Sequence, residues 1–80
     1  MARVHVQYFA LLREQAGRGD EALDTTAGTA ALLYEELRAR YRFSLPPAVL
    51  KVAVNDEFAP WDQPLLAGDR VVFIPPVAGG

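Results

Sequence analysis

The stretch Arg70-Val71-Val72-Phe73-Ile74 is almost continuously apolar, opens after a Gly68-Asp69 turn and closes at Pro75-Pro76. A run of this kind suits a strand in the middle of a sheet, covered by a helix on one face and by another element on the other. The two prolines lack N–H donors, so sheet pairing has to stop where they begin. The rest of the chain must therefore supply strands on both sides of this segment and a helix to cover it.

The upstream residues meet that demand. Arg3 to Phe9 alternates polar and apolar until Phe9, the period-2 mark of a half-buried strand with Val4, Val6 and Tyr8 facing the core. Ala10 to Ala16 contains good helix formers and closes at Gly17-Arg18-Gly19, which predicts a short helical turn with Leu11 and Leu12 pointing inward. Asp20 to Asp24 is expected as a brief second strand. The clearest helix spans Ala30 to Tyr41, where Thr29 can cap the first turn and Ala30, Leu33, Leu37 and Tyr41 recur at helical spacing. Glu36 and Arg40 form an i,i+4 pair on its solvated side, contributing only a few tenths of a kcal/mol. Pro46-Pro47 ends anything helical, and Leu50 to Val54 then reads as a strand with Leu50, Val52 and Val54 on one side. Asn55-Asp56 turns the chain into Glu57-Phe58-Ala59, and residues 60–66 form an irregular connection around Trp61 and Pro64. This order describes an α+β domain, with one sheet of about five strands and one principal helix packed across it.

At 80 residues the chain is one domain, with 1–74 as the folded body and 75–80 as an extended C-terminal tail. A body this small buries only about 60 to 65% of its unfolded surface and leaves little room for an internal active site, so function is expected at the surface. The formal charge is -2 and the basic residues are scattered from Arg3 to Arg70, which argues against a nucleic-acid partner. Its apolar stretches fall far short of the roughly 18 residues that span a bilayer. Met1-Ala2-Arg3 leads straight into a strand-like pattern, so no membrane role and a cytoplasmic location are expected. The absence of cysteine excludes disulfides, Cys-based metal sites and thiol nucleophiles. His5 is the only histidine, and no Asp/Glu spacing resembles a calcium loop or a zinc helix, so no metal site is expected.

The segment suited to chemistry is then the tail, Pro75-Pro76-Val77-Ala78-Gly79-Gly80. Its prolines favour an extended polyproline conformation that leads the chain off the domain. Six extended residues reach at most about 20 Å, enough to enter a deep pocket on another protein. Gly79 and Gly80 carry no Cβ, so a narrow channel can pass them and a nucleophile can approach the last carbonyl with little hindrance. A frayed terminus would account for two glycines alone, but it does not require a rigid Pro-Pro base.

With Val6 to Gly17 (VQYFALLREQAG), Val52-Ala53-Val54-Asn55 and Asp62 to Gly80, the chain resembles, over essentially its whole length, the small sulfur-carrying subunits of molybdopterin synthases. These belong to the ubiquitin-like β-grasp superfamily. The ending FIPPVAGG is the most specific part, whereas Gly68-Asp69 before a strand recurs across the superfamily. The resemblance implies a β-grasp fold and a sulfur cycle at Gly80. An adenylating enzyme similar to ubiquitin-activating enzymes would join AMP from ATP to the Gly80 carboxylate. A sulfur donor enzyme would then convert this transient acyl-adenylate into a thiocarboxylate. The tail residues Pro75, Pro76, Val77, Ala78 and Gly79 would insert into the large synthase subunit, where cyclic pyranopterin monophosphate receives the sulfur. The family assembly implied is a heterotetramer with one small subunit at each end. Acid–base groups would belong to the large subunit, so this chain is expected to be no enzyme on its own and to hold no permanent cofactor. Carriers serving thiamine, tRNA thiolation or cysteine synthesis share the diglycine chemistry but generally lack the FIPPVAGG ending and the YFALLREQAG opening. Conjugation through Gly80 as a protein modifier is also open to such a tail.

Strict alternation adds a surface to the tail. If Val4, Val6, Tyr8, Leu50, Val52, Val54, Val71 and Phe73 face the helix, then Arg3, His5, Gln7, Phe9, Lys51, Ala53, Val72 and Ile74 lie opposite. Phe9, Val72 and Ile74 are predicted to form an apolar patch beside the root of the tail, used in turn by the activating enzyme and the large subunit. A one-residue slip in register would invert the assignment. Trp61 is assigned to a satellite core under its loop. His5 and Lys51 belong to the solvated sheet face, with Lys51 able to meet an acidic patch on a partner.

Overall fold

In the computed structural model, which describes residues 1–76, the chain runs β1 (Ala2–Tyr8), α1 (Ala10–Ala16), β2 (Asp20–Thr25), α2 (Ala30–Tyr41), β3 (Lys51–Val54), β4 (Glu57–Ala59) and β5 (Arg70–Ile74). A single 3₁₀ turn, Pro47–Val49, precedes β3. The strands form one five-stranded mixed sheet in the order β2-β1-β5-β3-β4. β1 and β5 run parallel, and every other neighbouring pair is antiparallel. The apolar segment β5 thus lies at the centre, and α2 crosses one face of the sheet in the β-grasp manner.

The helix forms where a cap and an apolar stripe coincide. Thr29 is extended and its side chain accepts from the Leu32 N–H at 3.3 Å, satisfying one of the donors a helix start leaves free. From α2, Ala30, Leu33, Tyr34 and Leu37 enter one core with Val4, Val6, Tyr8, Val52, Val71 and Phe73. Tyr34 was not in the expected stripe, yet it is fully buried, with its ring 5.1 Å from that of Phe73 and its hydroxyl donating to the Leu45 carbonyl at 2.7 Å. That hydrogen bond lets a phenol sit where the spacing alone suggested only aliphatics. Tyr41, at the helix end, is half-buried against the core. Trp61 stacks on Phe73 at 6.0 Å and 11°, the satellite position expected of it.

Several local expectations change, each for a physical reason. Leu12 is buried but Leu11 is 37% exposed, because a two-turn helix lying on a sheet offers only a narrow inward stripe. β1 ends at Tyr8, and Phe9 becomes the extended N-cap of α1. Pro47 opens a 3₁₀ turn instead of barring one, since proline at a first helical position gives up only an N–H that has no partner there. Leu50 caps that turn, so β3 starts at Lys51, although Leu50 remains buried. Glu36 does approach Arg40, at 3.5 Å, but it also accepts from the buried Thr25 hydroxyl at 2.6 Å, so this side of α2 is tied to the end of β2. The outward face of β5 carries half-buried Val72 and Ile74, and no described element lies over it. Neighbouring strands shield only the flanks of these side chains, so the continuous apolar run marks an open apolar face and not a second covering layer.

Two turns hold the open face in register. Asn55 and Asp56 both take positive φ, 53° and 71°, which gives the two-residue turn between β3 and β4 the twist a hairpin needs. Gly68, at φ 90°, supplies the reversal before β5. The turns are stitched together: Asn55 Nδ2 donates to Asp69 Oδ1 at 2.9 Å, and the Arg70 N–H donates to Asn55 Oδ1 at 3.0 Å.

Candidate partner-docking face

The observed register arranges the outward side chains in rows. Nearest the exit of the chain from β5, Ile74 is opposite Lys51, with Phe9 following Tyr8 on the other flank, where Tyr8 is opposite Phe73. The next row reads Gln7, Val72, Ala53, Phe58. His5 and Arg70 make the row beyond. The predicted residues Phe9, Val72 and Ile74 come together in a shallow depression of about 310 Å³, completed by Gln7, Ala53, Asp56 and Phe58. The alternation therefore holds without a slip.

Phe58 is the residue that sequence reasoning missed. It is 76% exposed, more than Phe9 at 43%, and it extends the apolar surface to the edge strand. β4 is three residues long, too short to display a period of its own. A signal was present nonetheless: a two-residue turn at Asn55-Asp56 forces Phe58 opposite Ala53, on the outward side.

The apolar surface continues to the start of the tail. Pairing stops at Ile74 as the prolines require, and Pro75 is half-buried while Pro76 is exposed. The expectations for Val77, Ala78, Gly79 and Gly80 fall outside the described residues.

Charges gather at the margins of the patch, where Asp56 is the one charged residue lining the depression. Arg3 pairs with Asp24 at 3.2 Å, His5 Nε2 lies 3.7 Å from Asp20, and Arg70 pairs with Asp56. On the opposite side of the sheet, Glu21 accepts hydrogen bonds from Tyr8 at 2.6 Å and Tyr41 at 2.5 Å, with Arg18 3.5 Å away. Burial first, then the Glu21 bond, holds the Tyr8 hydroxyl well above the usual phenol range. The same causes raise Tyr41, and burial raises Tyr34. These phenols are structural hydrogen-bond donors at neutral pH. Among the described residues, no group of three or more His, Cys, Asp or Glu side chains is placed to hold a metal ion. No helix among them is long and apolar enough to cross a membrane.

A larger groove of about 690 Å³ lies where β4 ends, lined by Ala48, Leu50, Lys51, Val52, Phe58, Ala59 and Trp61. Lys51 is its only titratable group, so it offers no acid–base pair. The two depressions share Phe58, and both are lined mainly by apolar side chains.

Comparison with known proteins agrees with the fold. The model of the ThiS family matches residues 6–80. The molybdopterin synthase sulfur carrier subunit of Escherichia coli is 34% identical over 80 residues, covering 96% of this chain and 99% of that protein. The protein of the same name from Mycobacterium tuberculosis is 36% identical over 83 residues, covering both chains fully at 100%. Among solved structures, a candidate molybdopterin converting factor subunit 1 from Pyrococcus furiosus superposes with a TM-score of 0.81 at 31% identity, covering 96% of this chain and 100% of that one.

Proposed function

This chain belongs to the ThiS family, and from that premise we propose that it is the sulfur carrier subunit of a molybdopterin synthase. The observation that carries the proposal is the match to proteins of that name over at least 96% of the chain, which in the Mycobacterium tuberculosis protein extends over both the folded body and the Gly79-Gly80 terminus. The geometry supports it. The body ends its central strand at the margin of an apolar face, so a partner covering the face receives the tail at its border.

The cycle proposed has two stages. An adenylating enzyme joins AMP from ATP to the Gly80 carboxylate with release of pyrophosphate, which turns a poor leaving group into a good one. Sulfide-level sulfur supplied by a sulfur donor enzyme then displaces AMP to leave a thiocarboxylate. The loaded chain docks through Phe9, Val72, Ile74 and Phe58 on the large subunit. Pro75 to Gly79 then lead the sulfur on Gly80 into its pocket for transfer to cyclic pyranopterin monophosphate. The acid–base groups of that transfer reside on the large subunit, and the small chain supplies the reacting sulfur. Residues 1–74 serve as the docking body and 75–80 as the delivered segment.

Reconstitution tests this. The thiocarboxylated chain, mixed with a molybdopterin synthase large subunit and the pyranopterin precursor, is expected to form the dithiolene, and a Gly80 deletion is expected to abolish it. Dithiolene formation by the deleted chain would refute the assignment. A chain that takes up sulfur in place of one terminal oxygen, yet yields no dithiolene, would belong to a different sulfur pathway.

A further inference from the structure

The cations on the outward sheet face are not equivalent. Arg3, His5 and Arg70 each have a carboxylate of the same chain beside them, in Asp24, Asp20 and Asp56. Lys51, the only lysine in the sequence, has no carboxylate partner among the described residues. It is exposed, and it stands directly opposite Ile74, one strand over from the point where the tail departs. Adjacent strands lie only about 4.8 Å apart, so a partner that receives the tail and covers Ile74 also covers the base of Lys51. Lys51 further lines the groove at the end of β4 and so borders both depressions.

Covering an ammonium without giving it a partner is costly, whereas a well-placed carboxylate converts the same burial into orientation and faster encounter. We infer that Lys51 is a specificity determinant of the docking face, and that the large subunit presents a carboxylate to it beside the mouth that admits the tail. The inference rests on the docking role proposed above and adds a charge of defined sign at a defined place. Phe9, Val72, Ile74 and Phe58 form an apolar surface that many partners could cover, and apolar contact alone discriminates weakly between them. One positive charge with no carboxylate partner among the described residues, set at the tail side, fixes which way round a partner can sit, because in the far row Arg70 already pairs with Asp56. The chain as a whole is acidic, with a formal charge of -2, so this local positive charge opposes its average field.

The test is binding of the full-length chain to a molybdopterin synthase large subunit, with association rate and Kd measured at low and high salt. Lys51→Gln is expected to raise Kd about tenfold and Lys51→Glu to raise it further, while Lys51→Arg stays within about twofold of the parent. The loss should fall mainly on the association rate and shrink at high salt. Circular dichroism of each variant serves as the folding control. Because Lys51 is the only lysine, acetylating the folded chain should reproduce the glutamine variant, and acetylated Lys51→Arg controls for the modified N-terminus. Unchanged binding by the glutamine and glutamate variants, with Phe9→Ser still weakened, would overturn the role of Lys51 and leave the docking face standing. Tighter binding by the glutamine variant would overturn it equally. If Phe9→Ser also binds normally, the docking face fails together with this inference.

Discussion

Titrating Tyr8 should make the stability of the domain fall steeply in alkali, by an amount that one substitution removes. Tyr8 is 1% exposed and donates to Glu21 at 2.6 Å, so ionising it in the folded state would put a phenolate in the core against a carboxylate. Burial and that hydrogen bond raise its folded pKa above the unfolded value near 10. The sign follows from proton counting: above pH 10 the unfolded chain loses the proton while the folded chain keeps it, so stability drops as pH rises. The contribution is fully present below pH 10 and is lost progressively above it. For a group that stays protonated when folded, the loss is about 1.4 kcal/mol at pH 11 and about 2 kcal/mol at pH 11.5. Tyr34 and Tyr41 are raised too, so the total slope exceeds that of one group. Comparing the parent with Tyr8→Phe isolates the Tyr8 share. Near pH 8 the variant should be about 1 kcal/mol less stable for want of the hydrogen bond to Glu21, which retains Tyr41 as a donor. Urea unfolding followed by the fluorescence of Trp61, the only tryptophan, reports on the core it stacks against. The gap between the two proteins should close between about pH 10.5 and 11 and be reversed by about 1 kcal/mol at pH 11.5. A gap that stays constant from pH 8 to pH 11.5 would refute the reasoning.

Other outcomes follow from the face and its turns. Phe9→Ser and Phe58→Ser, made singly, should each weaken large-subunit binding by roughly tenfold or more while leaving thermal unfolding nearly unchanged, since both rings are exposed in the free chain. Unaltered affinity in calorimetric titration would count against the patch. Gly68→Ala meets nothing within 4 Å but must adopt φ 90°, so a loss of about 1 kcal/mol or more is expected from strain alone. An unchanged urea midpoint would show that the turn relaxes to another conformation.

Much of this architecture was legible in the residues because the signals were local and mutually consistent. The helix Ala30–Tyr41 announced itself through a cap and a periodic stripe, and β5 through an apolar run bounded by a turn and two prolines. Alternation along β1, β3 and β5 was enough to place Phe9, Val72 and Ile74 on one surface. What failed to show depended on contacts distant in sequence or on elements too short to display a period. Tyr34 is core because a carbonyl at Leu45 accepts its hydroxyl, and Glu36 is drawn inward because Thr25 arrives from β2. Phe58 needed the register of a three-residue strand, which has no period of its own and is set by the two-residue turn at Asn55 and Asp56. Leu11 was misjudged because a helix of two turns shows too little period to tell its buried side from its exposed one.

The central place of β5 has a consequence for how the chain comes into being. β1 with β2, and β3 with β4, are two hairpin-like halves whose only ladder to each other among the described residues runs through residues 70–74. During synthesis the sheet cannot close until that last strand has left the ribosome, because the keystone is translated after everything it joins. A product truncated before it has two unjoined halves and no formed patch. Strand order thus makes the outward patch a late product of synthesis, complete only when residues 70–74 have joined the two halves.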